Sequence, residues 1–267
     1  MAKQERLDIV LVKLGLVESR SKGQALIMAG EVRVDGEIAR KAGQKIKAES
    51  QIQIVNSLPY VSRGGLKLEG ALNDFSYDPA TQRCADVGAC TGGFTDLLLQ
   101  RGAVKVYAID VGYGQLAWRL RQDPRVVVLE RTNARHLKRL EEPIDLVVMD
   151  VSFISIKLLL PIIAHWLIPG GDVITLVKPQ FEAGREEVGK GGIVRDARIH
   201  KKVLQGIVSY ATAHGWMVRD ATVSPIQGQR GNKEFFLWLT LGAGESQPQV
   251  IERALQRAAL LGKAIAC

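Results

Sequence analysis

From residue 84 onward, short apolar runs alternate with longer stretches in which apolar residues recur every three or four positions. Seven runs read as strands: Cys84–Gly88, Val104–Asp110, Val126–Leu129, Ile144–Asp150, Asp172–Val177, Met217–Val223 and Glu234–Leu241. Ahead of the first, Leu68, Ala71, Leu72 and Phe75 form the apolar stripe of a helix that Ser62 is placed to cap. Strands interleaved with helices predict an α/β fold of Rossmann-like type. It has a seven-stranded, mostly parallel sheet with helices on both faces. The last two runs are joined by a short loop without a helix, which predicts an antiparallel member at one edge. A final helix is expected from Gln249 to Leu261.

Residues 1–57 follow another pattern. Leu7, Leu11 and Leu14 recur at helical spacing. Ser19 or Ser21 can cap a second helix that passes through Ala25 to Met28 and ends at Gly30. Val32, Val34, the Asp35-Gly36 pair and Ile38 read as a strand and tight turn, and Gln51–Val55 as a closing strand. This is a small α+β module with ten Lys/Arg against seven Asp/Glu. Residues 58–61, which include Pro59, read as a short linker, leaving 62–267 as the large domain.

The glycines after the first strand of the large domain narrow the ligand. Cys84 to Asp96 reads as strand, glycine turn and a helix opening at Thr91, the unit where doubly wound sheets hold nucleotide-like ligands. Gly88 followed by Gly92-Gly93 lacks the G-x-G-x-x-G spacing that brings backbone against a pyrophosphate, and no P-loop lysine follows. An adenosine-bearing ligand without phosphate fits, and S-adenosyl-L-methionine (SAM) is the expected cofactor. Asp110 ends the second strand and is placed to accept from a ribose diol.

Asp150 and Lys178 end the fourth and fifth strands, and carboxyl ends of parallel strands line the ligand crevice. Glu234 opens the last strand; if that strand is antiparallel, its start lies at the same end. Lys67 lies on the first helix, off the apolar stripe. A Lys–Asp–Lys–Glu cluster suits methylation of a ribose 2′-hydroxyl. A crowded, partly dry site lets a lysine act as base near neutral pH, and an adjacent cation stabilises the alkoxide. Lys178 is then the base, oriented by Asp150, with Lys67 and Glu234 aligning the ribose. Exocyclic amine methylation needs an Asn/Asp-Pro-Pro-aromatic motif where Asp150-Val-Ser-Phe153 stands, and cytosine C5 methylation needs a cysteine near that strand.

Composition adds a partner class. A net charge of +8 suits a polyanion. Three unpatterned cysteines argue against a disulfide framework and for a reducing cytosol, so a cytoplasmic location is expected. His136, His165, His200 and His214 are scattered, and no metal is expected. The N-terminus carries acids and lacks the apolar stretch of a signal peptide. The most apolar window, Ile154–Pro169, is broken by Lys157, Pro161 and His165 and reads as a buried helix. It is shorter than the ~20 residues of a membrane span.

The first module resembles the S-four type of RNA-binding domain through Arg6-Leu7-Asp8, Leu11–Gly15, Ser19-Arg20, Ala25–Gly30 and Val32–Gly36. That resemblance implies contact with structured RNA, with Arg6, Arg20, Lys22 and Arg33 at phosphates. Almost the whole chain resembles the TlyA family, whose members carry the names hemolysin A and ribosomal RNA 2′-O-methyltransferase and whose large domain is similar to FtsJ/RrmJ-type methyltransferases. The matching blocks include Tyr60–Lys67, Asp86–Asp96, Asp110–Gln115, Arg131–Arg135, Asp150–Ser155, Val177–Phe181 and Gly231–Glu234. The resemblance implies a SAM-dependent methyltransferase fold and 2′-O-methylation of a cytidine in large-subunit ribosomal RNA, with small-subunit RNA as a second target in some members. It assigns catalysis to Lys67, Asp150, Lys178 and Glu234. It assigns SAM to Asp86, Gly88, Gly92, Phe94, Asp110, Val111, Asn133 and Asp150. Cys90 departs from a frequent serine in the SAM turn, and Tyr60 from a frequent tryptophan. The glycine-rich loop Glu182–Asp196 is expected to be mobile and to close over RNA, with Lys190 at a phosphate. Ribosomal RNA or a ribosomal subunit is the expected partner, without stable membrane association, and oligomeric state is open. Two alternatives stand beside this reading: a membrane-active hemolysin, and a non-catalytic RNA-binding assembly factor.

Overall fold

The structure, a computed structural model, describes residues 4–28, 31–47, 49–54, 59–228, 231–242, 244, 247 and 249–264, the side chains of 261–264 excepted. The helix end expected at Gly30, the strand end at Val55, Leu58 of the expected linker and Cys267 lie outside the described residues. Two compact units divide the chain, 1–59 and 60–267.

In the first unit β1 (Glu5–Arg6) leads into α1 (Leu7–Lys13), then α2 (Arg20–Met28), β2 (Val32–Val34), β3 (Glu37–Ile38), β4 (Lys45–Ile46) and β5 (Ile52–Ile54). β2 pairs antiparallel with β3 and β5, and β1 with β4. Asp35 and Gly36 carry the β2–β3 turn at φ 51° and 86°, the two positive values a two-residue hairpin requires. The Ser19 hydroxyl accepts the Lys22 N–H at 3.2 Å and so caps α2. Leu7, Leu11, Ile27, Val32 and Ile46 form the core. Leu14 does not join it: α1 ends at Lys13, and Leu14 is 58% exposed.

The second unit opens with α3 (Gly64–Phe75), whose Leu68, Ala71, Leu72 and Phe75 are all buried. Ser62 is not its cap. Its carbonyl accepts the Gly65 N–H, and its hydroxyl fills the space against Gly93, where a Cβ would collide with it. There follow β6 (Arg83–Val87), α4 (Gly93–Gln100), β7 (Lys105–Ile109), α5 (Trp118–Arg121), β8 (Val126–Leu129), β9 (Ile144–Met149), α6 (Leu160–Ile163), β10 (Leu167–Val177), α7 (Pro179–Glu182), α8 (Ala197–Ala213), β11 (Trp216–Val223), β12 (Phe235–Leu241) and α9 (Val250–Ala264). The strands form one sheet in the order β11-β12-β10-β9-β6-β7-β8. Alternate residues go to opposite faces. Val147 and Met149 of β9 join the cluster packed under α8 and α9, whereas Leu146 and Val148 join the one under α3 and α4.

Two expectations need correction. The antiparallel strand is β12, and it lies one place inside the edge, paired with both β10 and β11. The short connection makes β11 and β12 antiparallel neighbours, but β12 takes the place beside β10, so β11 becomes the edge. Nor is Ile154–Pro169 one helix. It holds a 3-10 turn at Ile156–Leu158 and the single turn of α6, with Pro161 at its start. The chain then enters the sheet at Leu167, which pairs with Ile144.

Candidate active site

The turn after β6 is shaped by what its glycines leave out. Gly88 (φ 85°) lies so close to β9 that a Cβ would stand 2.6 Å from the Asp150 carbonyl oxygen. Gly92 (φ 95°) would drive a Cβ into Leu120, so its missing side chain serves packing against α5. Cys90 sits between them at φ 49°, its N–H donating to Asp110 Oδ2 at 2.8 Å. Asp110 Oδ1 accepts the Gly112 N–H at 2.7 Å, which fixes the carboxylate at the tip of β7. Gly88, Cys90 and Asp110 are among the residues that wall a cavity of 680 Å³, within the size range of small-molecule sites.

Gly88, Asp110, Val111, Asn133 and Asp150 line this cavity. Asp86, Gly92 and Phe94 stand behind its wall. Phe94 packs in the α3–α4 cluster, and Asp86 is fully buried beneath the turn. Asp86 Oδ2 accepts both the N–H (2.9 Å) and the hydroxyl (2.7 Å) of Thr95, while Oδ1 has no hydrogen-bond partner among the described residues. Burial pushes the Asp86 carboxyl up to about 7, the Thr95 bonds oppose this, and the nearby Asp150 and Asp110 add to it.

Asp150 also belongs to a cluster of four charges. Its Oδ1 lies 2.7 Å from Lys178 Nζ and its Oδ2 3.9 Å from Lys67 Nζ. Lys67 Nζ donates to Glu234 Oε2 at 2.7 Å. All four side chains are largely withdrawn from water, with 12%, 22%, 11% and 3% exposure for Lys67, Asp150, Lys178 and Glu234. The elements explain the meeting. Asp150 follows β9, Lys178 follows β10, and the register Val177↔Phe235 sets Glu234 across from Lys178. The Lys178–Asp150 contact is an ion pair without hydrogen-bond alignment, since Asp150 Oδ1 lacks a hydrogen-bond partner among the described residues. Lys178 directs its aligned bond to Ser152 Oγ at 2.8 Å.

Several neighbours were given no role from the sequence. Phe153 is 88% exposed at φ 63° on the cavity rim and packs on Phe181, 4.8 Å between ring centroids. Glu182 accepts from the Ser155 hydroxyl (2.7 Å) and the Ile156 N–H (2.8 Å), tying α7 to that rim. An exposed phenylalanine is invisible to hydropathy, which places every phenylalanine inside. Loop 184–194 is pinned: Asn232 Oδ1 accepts the Val194 N–H and its Nδ2 donates to the Gly192 carbonyl. Lys190 on this loop is exposed. In the first unit, Arg6 and Arg20 both bond the fully buried Asp8, joined by Gln24 at 2.8 Å. The Arg6 hydrogen bond above all holds the Asp8 carboxyl well below the usual carboxylate range. Arg33 is exposed, reaching the Gly36 carbonyl, and Lys22 lies on α2.

Residues 60–241 match the description FtsJ-like methyltransferase, and residues 5–52 match the S4 domain. The chain belongs to the FtsJ-like methyltransferase family. This FtsJ-like protein is 46% identical to the 16S/23S rRNA (cytidine-2'-O)-methyltransferase TlyA of Mycobacterium tuberculosis, over 90% of this chain and 91% of that one. It is 45% identical to Hemolysin A of Brachyspira hyodysenteriae, over 86% and 97%. A solved structure described as "Putative hemolysin from Streptococcus thermophilus" superposes with a TM-score of 0.78 at 42% identity, covering 100% of this chain and 99% of that one. The mostly parallel seven-stranded sheet of this FtsJ-like protein is thus a Rossmann-like methyltransferase fold.

Proposed function

We propose that this protein is a SAM-dependent 2′-O-methyltransferase acting on a cytidine ribose of large-subunit ribosomal RNA, with small-subunit RNA as a second target. The meeting of Lys67, Asp150, Lys178 and Glu234 beside the cavity carries the reading. The name of the Mycobacterium tuberculosis relative supports the acceptor. When bound, SAM supplies a sulfonium-activated methyl group. Asp110, Val111, Asn133 and the Gly88 turn are the residues proposed to hold it. Asp110 is pre-oriented by two backbone N–H groups and keeps further lone pairs for a ribose diol. Asp86, Gly92 and Phe94 act from behind, setting the turn.

The chemistry assigned to the chain is proton removal from a weak nucleophile. Lys178 in its neutral form accepts the hydroxyl proton, and the ammonium that results already faces Asp150 at 2.7 Å. Charge is thereby stabilised where it appears, in a site largely shielded from water. Lys67 is held by Glu234 and stays cationic beside the developing alkoxide. Once Lys178 carries the proton the four groups sum to zero net charge, so their burial then leaves no uncompensated ion.

The deciding experiment compares wild type with Lys178→Ala. Mass spectrometry of ribosomal RNA fragments is expected to show a 2′-O-methyl group only with wild type, while calorimetry shows SAM binding in both. Normal turnover by the variant refutes the assigned base. SAM binding without transfer by wild type favours the assembly-factor alternative. Among the described residues no helix is long and apolar enough to cross a membrane; the hemolysin alternative is decided by experiment. Dye release from liposomes by the purified protein would favour it.

A further inference from the structure

On leaving β9 and Asp150 the chain crosses residues 151–155 without regular structure before the 3-10 turn at Ile156–Leu158. This crossing is strained at Phe153, whose φ of 63° a residue with a Cβ holds only when its surroundings dictate it. Three contacts tie the crossing to Lys178 and α7, and they advance along both segments together. Lys178 Nζ donates to Ser152 Oγ at 2.8 Å, Phe153 packs on Phe181, and Glu182 closes the far end. Glu182 Oε2 accepts the Ser155 hydroxyl at 2.7 Å, and its Oε1 accepts the Ile156 N–H at 2.8 Å. Ser155 Oγ in turn accepts the Lys157 N–H at 3.3 Å, and Ile156 is buried in the core, so this end is anchored. Both carboxylate oxygens of Glu182 are thus used on the crossing, and Glu182 forms no ion pair among the described residues. Bonds to an ionised acceptor are about twice as strong as neutral ones, which suits a strained segment that must be held. Ser152, Phe153, Ser155 and Phe181 line the same cavity as Asp150.

We infer that Glu182 is a positioning residue for methyl transfer: by clamping Ser155 and Ile156 to α7 it holds the crossing taut, keeps Ser152 on Lys178 and so aims the amine that takes the proton. A neutral lysine amine has two N–H bonds and one lone pair. With one N–H on Ser152 Oγ and the other turned to Asp150, 2.7 Å away, the lone pair is left for the acceptor hydroxyl. Without the clamp the crossing relaxes at Phe153, Ser152 leaves Lys178, and the amine rotates. Proton transfer then loses its alignment, although no group that touches the acceptor has changed. The inference rests on the methyltransferase reading with Lys178 as base, and adds the residue that orients that base from outside the four-charge cluster.

The test uses the full chain and four variants. Glu182→Ala removes the clamp. Glu182→Gln keeps it, because the amide oxygen accepts the Ile156 N–H while the amide N–H donates to the Ser155 hydroxyl, which reverses its role. Ser155→Ala removes one of the two bonds and is the milder variant should Glu182→Ala fail to fold. Glu142→Ala is the control: it deletes a carboxylate that accepts from Lys105 and Tyr107 at the other end of the sheet, where β7 begins. Transfer of a tritiated methyl group from SAM to large-subunit ribosomal RNA gives kcat, calorimetry gives SAM affinity, and hydrogen exchange follows the amides of residues 151–156. Glu182→Ala is expected to lower kcat by about tenfold or more, to leave SAM affinity within about threefold, and to speed exchange at 151–156. Ser155→Ala should shift kcat and exchange in the same direction by less, and Glu182→Gln and Glu142→Ala should stay near wild type in both. An unchanged kcat in Glu182→Ala, a loss confined to SAM affinity, a glutamine variant no better than alanine, or an equal loss in Glu142→Ala overturns the inference. If wild type transfers no methyl group, the methyltransferase reading falls, and the clamp is judged by exchange alone: unaltered exchange at 151–156 in Glu182→Ala overturns it.

Discussion

Replacing Asp86 by Asn should remove a pH dependence of stability that one buried carboxyl creates. Asp86 has no exposed surface, one oxygen without a hydrogen-bond partner among the described residues, and a carboxyl raised from 3.8 to about 7. The unfolded chain ionises this group near pH 4, whereas the folded chain keeps it protonated up to about pH 7. Between those values unfolding releases a proton, so stability falls as pH rises, by ~1.4 kcal/mol per pH unit. Across the window the loss is about 4 kcal/mol. Asparagine keeps the Thr95 bonds through its carbonyl oxygen and carries no charge, so this contribution disappears. The four tryptophans, Trp118, Trp166, Trp216 and Trp238, all lie in residues 60–267. Tryptophan fluorescence in urea therefore reports that unit alone. Unfolding midpoints at pH 5 and pH 8 should differ markedly more for wild type than for Asp86→Asn. Parallel pH profiles for the two proteins would refute the reasoning.

Further outcomes follow from the same geometry. Gly228→Ala should lower kcat by about tenfold or more with SAM affinity kept, measured by methyl transfer and calorimetry, because a Cβ there overlaps the Glu234 carboxylate that holds Lys67. Gly92→Ala should destabilise the catalytic unit by about 2 kcal/mol in the same urea assay, from the Leu120 collision and the positive φ together. Asp8→Ala should destabilise the first unit by about 2 kcal/mol, allowing for the half-exposed arginines, read as faster hydrogen exchange at residues 5–54. Asp8 is depressed, so its contribution is present above pH 4 and fades as pH falls below the ordinary carboxylate range.

Strand positions were legible because period-two alternation between two apolar faces leaves runs such as Leu146–Met149, in which every residue is buried. The order of those strands was less so. Nothing local in Phe235–Leu241 says whether it pairs at the edge or beside β10; that depends on which neighbour buries Phe235 and Phe236 on opposite faces. Leu14 and Phe153 show the complementary limit. Both are apolar by type, yet helix termination at Lys13 and a left-handed backbone at residue 153 turn them to solvent. In the site, residue types at strand tips were readable, and the structure brings Lys67, Asp150, Lys178 and Glu234 together. Ser152 was not readable, since its contact with Lys178 arises only when the chain leaves β9.

The reversal of β12 is the topological step that allows the four-charge cluster. Lys178 and Asp150 reach the carboxyl end of the sheet because β10 and β9 run parallel. A parallel β12 would place its first residue at the opposite end, separated by the length of Phe235–Leu241, roughly 23 Å at the rise of a strand. Running antiparallel, β12 starts where the others finish, and Glu234 falls opposite Lys178 with no loop needed to carry it there. The carboxylate that restrains Lys67 is thereby mounted at the start of a seven-residue strand that pairs with β10 and β11 along its length. Its position is as rigid as the sheet. Lys67 approaches from α3, outside the sheet, and meets Glu234 and Asp150 at their shared end. A variant that frees the start of β12 should thus disturb Lys67 before it disturbs Lys178, which keeps its own bond to Ser152.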